Sequence, residues 1–232
     1  MNKIGIIVAM DEEMEAIKGK MTNIQNKKIF NLIFNEGNIN SKEYVVVKCG
    51  IGKVNAARTT QIMIDNYEVE CIINIGSAGA LNDKLNIGDI VIGDNLVQHD
   101  FDISAFGHEK GYITDTGKMF SSDKKLVDKI KELVDDLLKG KKENKFNYII
   151  GTIASGDVFC TQIKMKEDIR NEFNAECVEM EGAAIAQVCY LNKIPFLILR
   201  SISDSPNGNN QIDFNKYLSI AAERCASIIQ KM

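Results

Sequence analysis

Three acidic stretches carry residue types able to do chemistry: MDEEM at residues 10–14, VEMEG at 178–182 and SISD at 201–204. Each also has an ordinary reading. Asp11, Glu12 and Glu13 suit the first turn of a helix, where the backbone dipole favours carboxylates. Glu179 and Glu181 flank Met180 where an apolar strand gives way to a small-residue helix, and strand alternation points both to one side. At least one of them reads as an exposed charge. Asp204 ends the apolar run PFLILRSISD, where a capping aspartate is the alternative to a working acid. Taken jointly, acids from three distant loops that converge on one crevice would suit glycosidic cleavage, which uses separated carboxylates as proton donor and base.

Two glycine motifs lie between them. CGIGKVNAA has Gly50 and Gly52 but Asn55 where a dinucleotide fingerprint needs its third glycine. Glu68 and Glu70 precede the next strand instead of ending it, so a structural glycine turn is favoured over a nicotinamide site. IGSAGAL sets Ser77 between Gly76 and Gly79, but the pattern is not Gly-x-Ser-x-Gly and no histidine stands near a triad position. Either the backbone at Gly79 approaches a ligand, with Ser77 as a hydrogen-bond donor, or the segment is a tight turn.

The elements that must position these residues are legible as apolar, β-branched runs: KIGIIVA, EYVVVKC, CIINIG, DIVIGD, YIIGTIA, ECVEM and FLILRSIS. Several lack polar alternation, which implies strands buried on both faces. Amphipathic segments at 54–66, 123–138, 182–191 and 214–232 alternate with them, predicting an α/β sheet flanked by helices. In such sheets ligands bind beyond the carboxyl ends of strands, and the acidic and glycine motifs fall there. The lysine-rich stretch 139–145 reads as a surface loop. No repeat or linker divides the 232 residues, so one domain spanning 1–232 is expected.

A formal charge of -4 and lysines dispersed along the chain leave no basic face for nucleic acid. The six cysteines fall mostly in apolar runs without metal-ligand spacing and read as reduced core thiols. The N-terminal apolar run is too short for a membrane span and is followed by acids, so a cytoplasmic location is expected.

IGIIVAMDEEM, CGIGKVNAA, INIGSAGAL, IGDIVIGD, HDFDISAFG, ASGDVF, VEMEGAAIA and RSISD, in this order, resemble the nucleoside phosphorylase and hydrolase superfamily, most closely the methylthioadenosine/S-adenosylhomocysteine nucleosidases. The resemblance implies a three-layer sandwich with a mixed, mostly parallel central sheet. It also implies hydrolysis of the bond between adenine and a 5′-thio-substituted ribose, with no metal or organic cofactor, in methionine salvage and the recycling of methylation by-products. Glu13 would activate water, Asp204 would protonate the departing adenine, and Glu181 would grip the ribose hydroxyls. Phe159 would stack on adenine, the backbone of Cys160 would read the purine edge, and Met180 and Ser77 would line the ribose site. Met10, Ile51 and Phe214 would sit beside the 5′ substituent. Ile103, Phe106 and His108 would reach across a homodimer interface, His108 standing where another aromatic residue is common.

Within this reading a proton-bearing Asp204 needs an environment that disfavours its carboxylate, which a desolvated crevice supplies. Water is favoured over phosphate because the loop after the first strand is acidic, where related phosphorylases place arginine. The chain has only four arginines, Arg58, Arg170, Arg200 and Arg224. A purine nucleoside phosphorylase, a futalosine-type or 5′-deoxyadenosine hydrolase and a non-catalytic nucleoside-binding protein are the alternatives. Binding alone requires no proton donor and water base, which argues against the last of these.

Overall fold

The computed structural model describes residues 3–139, 146–205 and 210–232. In chain order these form β1 (Lys3–Val8), α1 (Asp11–Lys18), β2 (Thr22–Ile29), β3 (Leu32–Ile39), β4 (Lys42–Lys48), α2 (Lys53–Asn66), β5 (Val69–Ala80) and β6 (Ile90–Gln98). A short 3-10 turn follows at Ser104–Phe106, then β7 (Phe120–Ser121), α3 (Lys124–Lys139), β8 (Tyr148–Ser155), α4 (Ile163–Phe173), β9 (Ala175–Glu179), α5 (Gly182–Asn192), β10 (Phe196–Asp204) and α6 (Asn210–Ile229). Of the expected lysine-rich loop, Lys139 belongs to α3 and the remainder lies outside the described residues.

All seven apolar runs form strands, and the amphipathic segments become α2, α3, α5 and α6. The α3 helix shows why: Val127, Ile130, Leu133 and Val134 recur at helical spacing and are its buried face. The hairpin of β2 and β3 was not expected. β2, TNIQNKKI, is almost wholly exposed and is held by its ladder with β3 instead of by buried side chains.

The strand order is β10-β6-β8-β9-β5-β1-β4-β3-β2, with β7 paired to β6. Parallel pairings join β1 to β4 and β5, β5 to β10, and β8 to β6 and β9. Antiparallel pairings join β3 to β2 and β4, β5 to β9, and β6 to β7 and β10. The sheet is therefore mixed, not mostly parallel. An apolar run encodes burial and leaves strand direction unstated, so both senses look alike in the sequence.

β10 pairs with both β5 and β6, while β9 pairs with both β5 and β8, so these five strands close on themselves. β5 and β9 meet only through Gly79–Val178 and Ala80–Cys177, at the end of β5 and within the carboxyl half of β9. That crossing brings the carboxyl ends of two oppositely running groups of strands to one place. Alternate strand residues feed two cores. Ile7, Val45, Val47 and Ile72 pack with Ala56 and Met63 of α2 and with residues of α5. Ile6, Val46 and Ile73 pack with Met14 and Ile17 of α1 and with residues of α3 and α6.

Candidate active site

A cavity of roughly 520 Å³ opens where the carboxyl ends of β1, β5, β9 and β10 meet the loop after β8. That volume lies within the usual range for small-molecule sites.

Glu13 is 3% exposed and serves two purposes. As the third residue of α1, its Oε2 accepts the amides of Ala9 at 2.9 Å and Met10 at 3.1 Å, the half of a capping box that the acid supplies. Its Oε1 accepts the amide of Ser77 at 3.2 Å, joining the helix to β5. The ordinary reading as a helix cap is thus correct, and the same carboxylate lines the cavity. Burial raises its proton affinity, opposed by Arg200 and by the three amides. Asp11 is instead exposed and pairs with Lys48 at 2.5 Å.

Glu179 and Glu181 are both buried at 6% exposure, so neither is the surface charge that the sequence suggested. Glu179 caps α5: its carboxylate accepts the amides of Glu181 at 3.1 Å and Gly182 at 2.7 Å, the hydroxyl of Ser155, and Arg200. Glu181 accepts the amide of Gly52 at 2.9 Å. Burial and then the charge of Glu179 push Glu181 far above its ordinary 4.5. Arg200, 1% exposed on β10, bonds Glu179 and Asn74, and its charge also acts on Glu13 and Glu181.

Asp204, 2% exposed at the end of β10, accepts the hydroxyl of Ser203 at 3.1 Å and lies 3.2 Å from the ammonium of Lys166. Lys166, itself 3% exposed, also donates to the carbonyl of Ser205 at 3.1 Å. The crevice around Asp204 is therefore not simply apolar, since a buried ammonium stands against its carboxylate.

IGSAGAL is neither a loop nor a tight turn, since β5 runs through it to Ala80. Its glycines make room for acids. A Cβ on Gly76 would lie 2.8 Å from Oε1 of Glu13, and one on Gly79 would lie 2.9 Å from Oδ2 of Asp204. In CGIGK, by contrast, Gly50 and Gly52 take φ of +87° and +98°, the backbone that only glycine adopts readily. The start of α2 there meets the carboxylates of Glu181 and Asp157, which would repel a pyrophosphate.

Phe159 is 43% exposed and meets Phe214 edge-on at 5.6 Å, while Cys160 beside it is buried and its thiol pushed up to about 11 by that burial. Met10, Ile51 and Met180 add apolar wall, and Ser77 and Gly79 add backbone. Every expected site residue on these strands and loops therefore lines the one cavity. Ile103, Phe106 and His108 do not. They lie on the loop after β6, where Phe106 is 82% exposed and His108 stacks on Tyr112 with ring centroids 4.9 Å apart.

Sequence reasoning missed the network of Arg200 with Glu179 and Asn74, and it missed Lys166 as the partner of Asp204. Two of them carry a legible signal. Arg200 is the lone basic residue in a fully buried strand, and Lys166 shares the buried stripe of α4 with Ile169 and Phe173. Such charges require partners when buried.

Two outcomes follow from this geometry. Gly79→Ala forces a methyl against Asp204 and should cost about 1–3 kcal/mol in urea unfolding, the usual cost of overpacking. Glu181 and Glu13 bind protons more tightly in the folded state than in the unfolded chain, so their stabilising effect is full below pH 4.5 and declines as pH rises toward their folded values. Glu181→Gln should flatten the loss of stability between about pH 5 and 9; a slope identical to that of the unsubstituted chain would count against this protonation.

Residues 3–232 match the sequence profile of the phosphorylase superfamily. The 5′-methylthioadenosine/S-adenosylhomocysteine nucleosidase of Staphylococcus haemolyticus (strain JCSC1435) is 39% identical over 230 residues, covering 99% of this chain and 98% of that relative. The structure of the nucleosidase of the same name from Neisseria meningitidis, in complex with methylthio-immucillin-A, aligns with a TM-score of 0.93 at 34% identity, covering 100% of this chain and 98% of that one. The futalosine hydrolase of Helicobacter pylori strain 26695 aligns with a TM-score of 0.92 at 33% identity, covering 99% and 97%. The chain therefore belongs to the phosphorylase superfamily and, within it, to the family of the 5′-methylthioadenosine/S-adenosylhomocysteine nucleosidases.

Proposed function

We propose that this chain hydrolyses the N-glycosidic bond of 5′-methylthioadenosine and S-adenosylhomocysteine, releasing adenine and the 5-thio-substituted ribose, and so serves methionine salvage and the recycling of methylation by-products. One observation carries the reading: Glu13, Glu181 and Asp204, drawn from three separate elements, line a single cavity that has Phe159 in its wall.

Cleavage leaves positive charge on the sugar and negative charge on the purine. A buried carboxylate with raised proton affinity suits a base that takes a proton from water near neutral pH, and Glu13 has that character. Asp204 is the proton donor to the imidazole ring of adenine, and Glu181 accepts hydrogen bonds from the ribose hydroxyls. Phe159 stacks on the base and the backbone of Cys160 reads its edge. Met180 and Ser77 face the ribose, while Met10, Ile51 and Phe214 surround the 5′ group.

Water suits this site better than phosphate. Arg200 is engaged by Glu179 and Lys166 by Asp204, while the loop after β1 presents acids where an anion would need cations. A futalosine-type hydrolase is the second reading, favoured by the likeness to the Helicobacter pylori enzyme.

The protein acts as a homodimer in the cytoplasm, a single domain built as a three-layer sandwich. In the dimer Ile103, Phe106 and His108 complete the 5′ end of the partner's site. The high exposure of the apolar Phe106 supports this, as do six buried free thiols for the reducing compartment. Among the described residues no helix is long and apolar enough to cross a membrane.

Adenine should be released from 5′-methylthioadenosine without added phosphate, as followed by chromatography across a panel of 5′-substituted adenosines; strict phosphate dependence would overturn the hydrolytic reading. Asp204→Asn should lower kcat by roughly 10²–10⁴-fold, the usual contribution of a positioned acid, while nucleoside binding by calorimetry persists. Unchanged turnover would remove Asp204 from its role.

A further inference from the structure

Outside the acids that face the cavity, a second polar cluster joins the loops that carry them. Asp100 follows β6 and receives one donor from each of two segments. Its Oδ1 accepts the ammonium of Lys53, at the start of α2, at 2.5 Å. Its Oδ2 accepts the amide of Asp157, in the loop after β8, at 2.9 Å. Asp157 closes the ring, because its own Oδ1 accepts the amide of Lys53 at 2.8 Å and so caps α2 from another part of the chain. Lys53 also donates to Gln98 at 3.1 Å. The side chains of Asp100 and Lys53 are 24% and 17% exposed, and packing holds the ring beside His99, which lies so close to Gly156 that no side chain fits there.

The ends of this ring reach both halves of the cavity. Gly52, next to Lys53, gives its amide to Glu181. Asp157 is two residues before Phe159 and three before Cys160. A nucleoside spans these two places, with its ribose at Glu181 and its base at Phe159.

We infer that Asp100 is a positioning residue for the reaction proposed above, locking the helix start that binds Glu181 to the loop that carries Phe159 and Cys160. It touches no reacting atom. Burial opposes its charge, but the hydrogen bond from Lys53 and the amide of Asp157 outweigh burial and hold the carboxyl below its ordinary range. The clasp is thus an ion pair with fixed donors on both oxygens, able to set a spacing in a way that a mobile surface pair is not.

The inference rests on the nucleosidase reading for its kinetic arm and on the geometry alone for its structural arm. Asp100→Ala should lower kcat/KM for 5′-methylthioadenosine by roughly 10–100-fold, the scale of a misplacement near 1 Å. Affinity for free adenine, which does not span the clasp, should fall far less than affinity for the nucleoside. Lys53→Met should reproduce the effect, and the double variant should be no worse than either single one, because all three break the same ring. Amide hydrogen exchange in Asp100→Ala should quicken at Gly52 and Lys53, which Asp100 reaches only through Asp157 and the lysine side chain. Full kcat/KM, equal losses for adenine and nucleoside, or unchanged exchange at Gly52 and Lys53 would overturn the inference. If Asp100→Ala fails to fold, Lys53→Met carries the same measurements. Absence of adenine release by the unsubstituted chain would fall on the nucleosidase reading, with the exchange result still deciding the clasp.

Discussion

Glu13, Glu179 and Glu181 can be buried around one cavity because the guanidinium of Arg200 lies among them. Three carboxylates removed from water would repel one another and each would lose its hydration, a cost that a single enclosed cation can offset only in part. The remainder is carried by backbone amides on all three acids and by protons held more tightly than in water, as on Glu13 and Glu181. Arg200 is itself anchored by Asn74, which ties it to β1 through the carbonyl of Ile7 at 2.8 Å. The charge balance of the site is therefore built into the central strands.

The same strands explain why the acids meet. Closure of β5, β10, β6, β8 and β9 makes the carboxyl ends of oppositely running strands cross at Gly79–Val178 and Ala80–Cys177. Helix starts then project into the gap. Glu13 caps α1 and Glu179 caps α5, so much of the site consists of groups that also terminate helices. Such double use makes stability and site geometry inseparable at these positions, and it is why capping and catalysis looked like competing explanations of one motif.

The positions of the acids were largely legible in advance. Apolar runs announced seven strands, and the acidic motifs sat at their carboxyl ends, where open α/β sheets place ligands. Glycines were legible as special without their purpose being so. At Gly52 the purpose is a backbone of positive φ, whereas at Gly76 and Gly79 it is space for carboxylates that arrive from residues 13 and 204. The β2–β3 hairpin escaped notice because its exposed strand carries no burial pattern.

What the sequence by itself determined is local: which segments are buried, where helices start, and which acids stand at element ends, because periodicity and capping act over a few residues. Tertiary structure alone decided strand direction, the pairing of Glu179 with Arg200 and the placing of Lys166 against Asp204. The physical reason is range. A buried charge must find its partner, but the partner lies 21 residues away for Arg200 and 38 for Lys166, and only the folded chain brings them together.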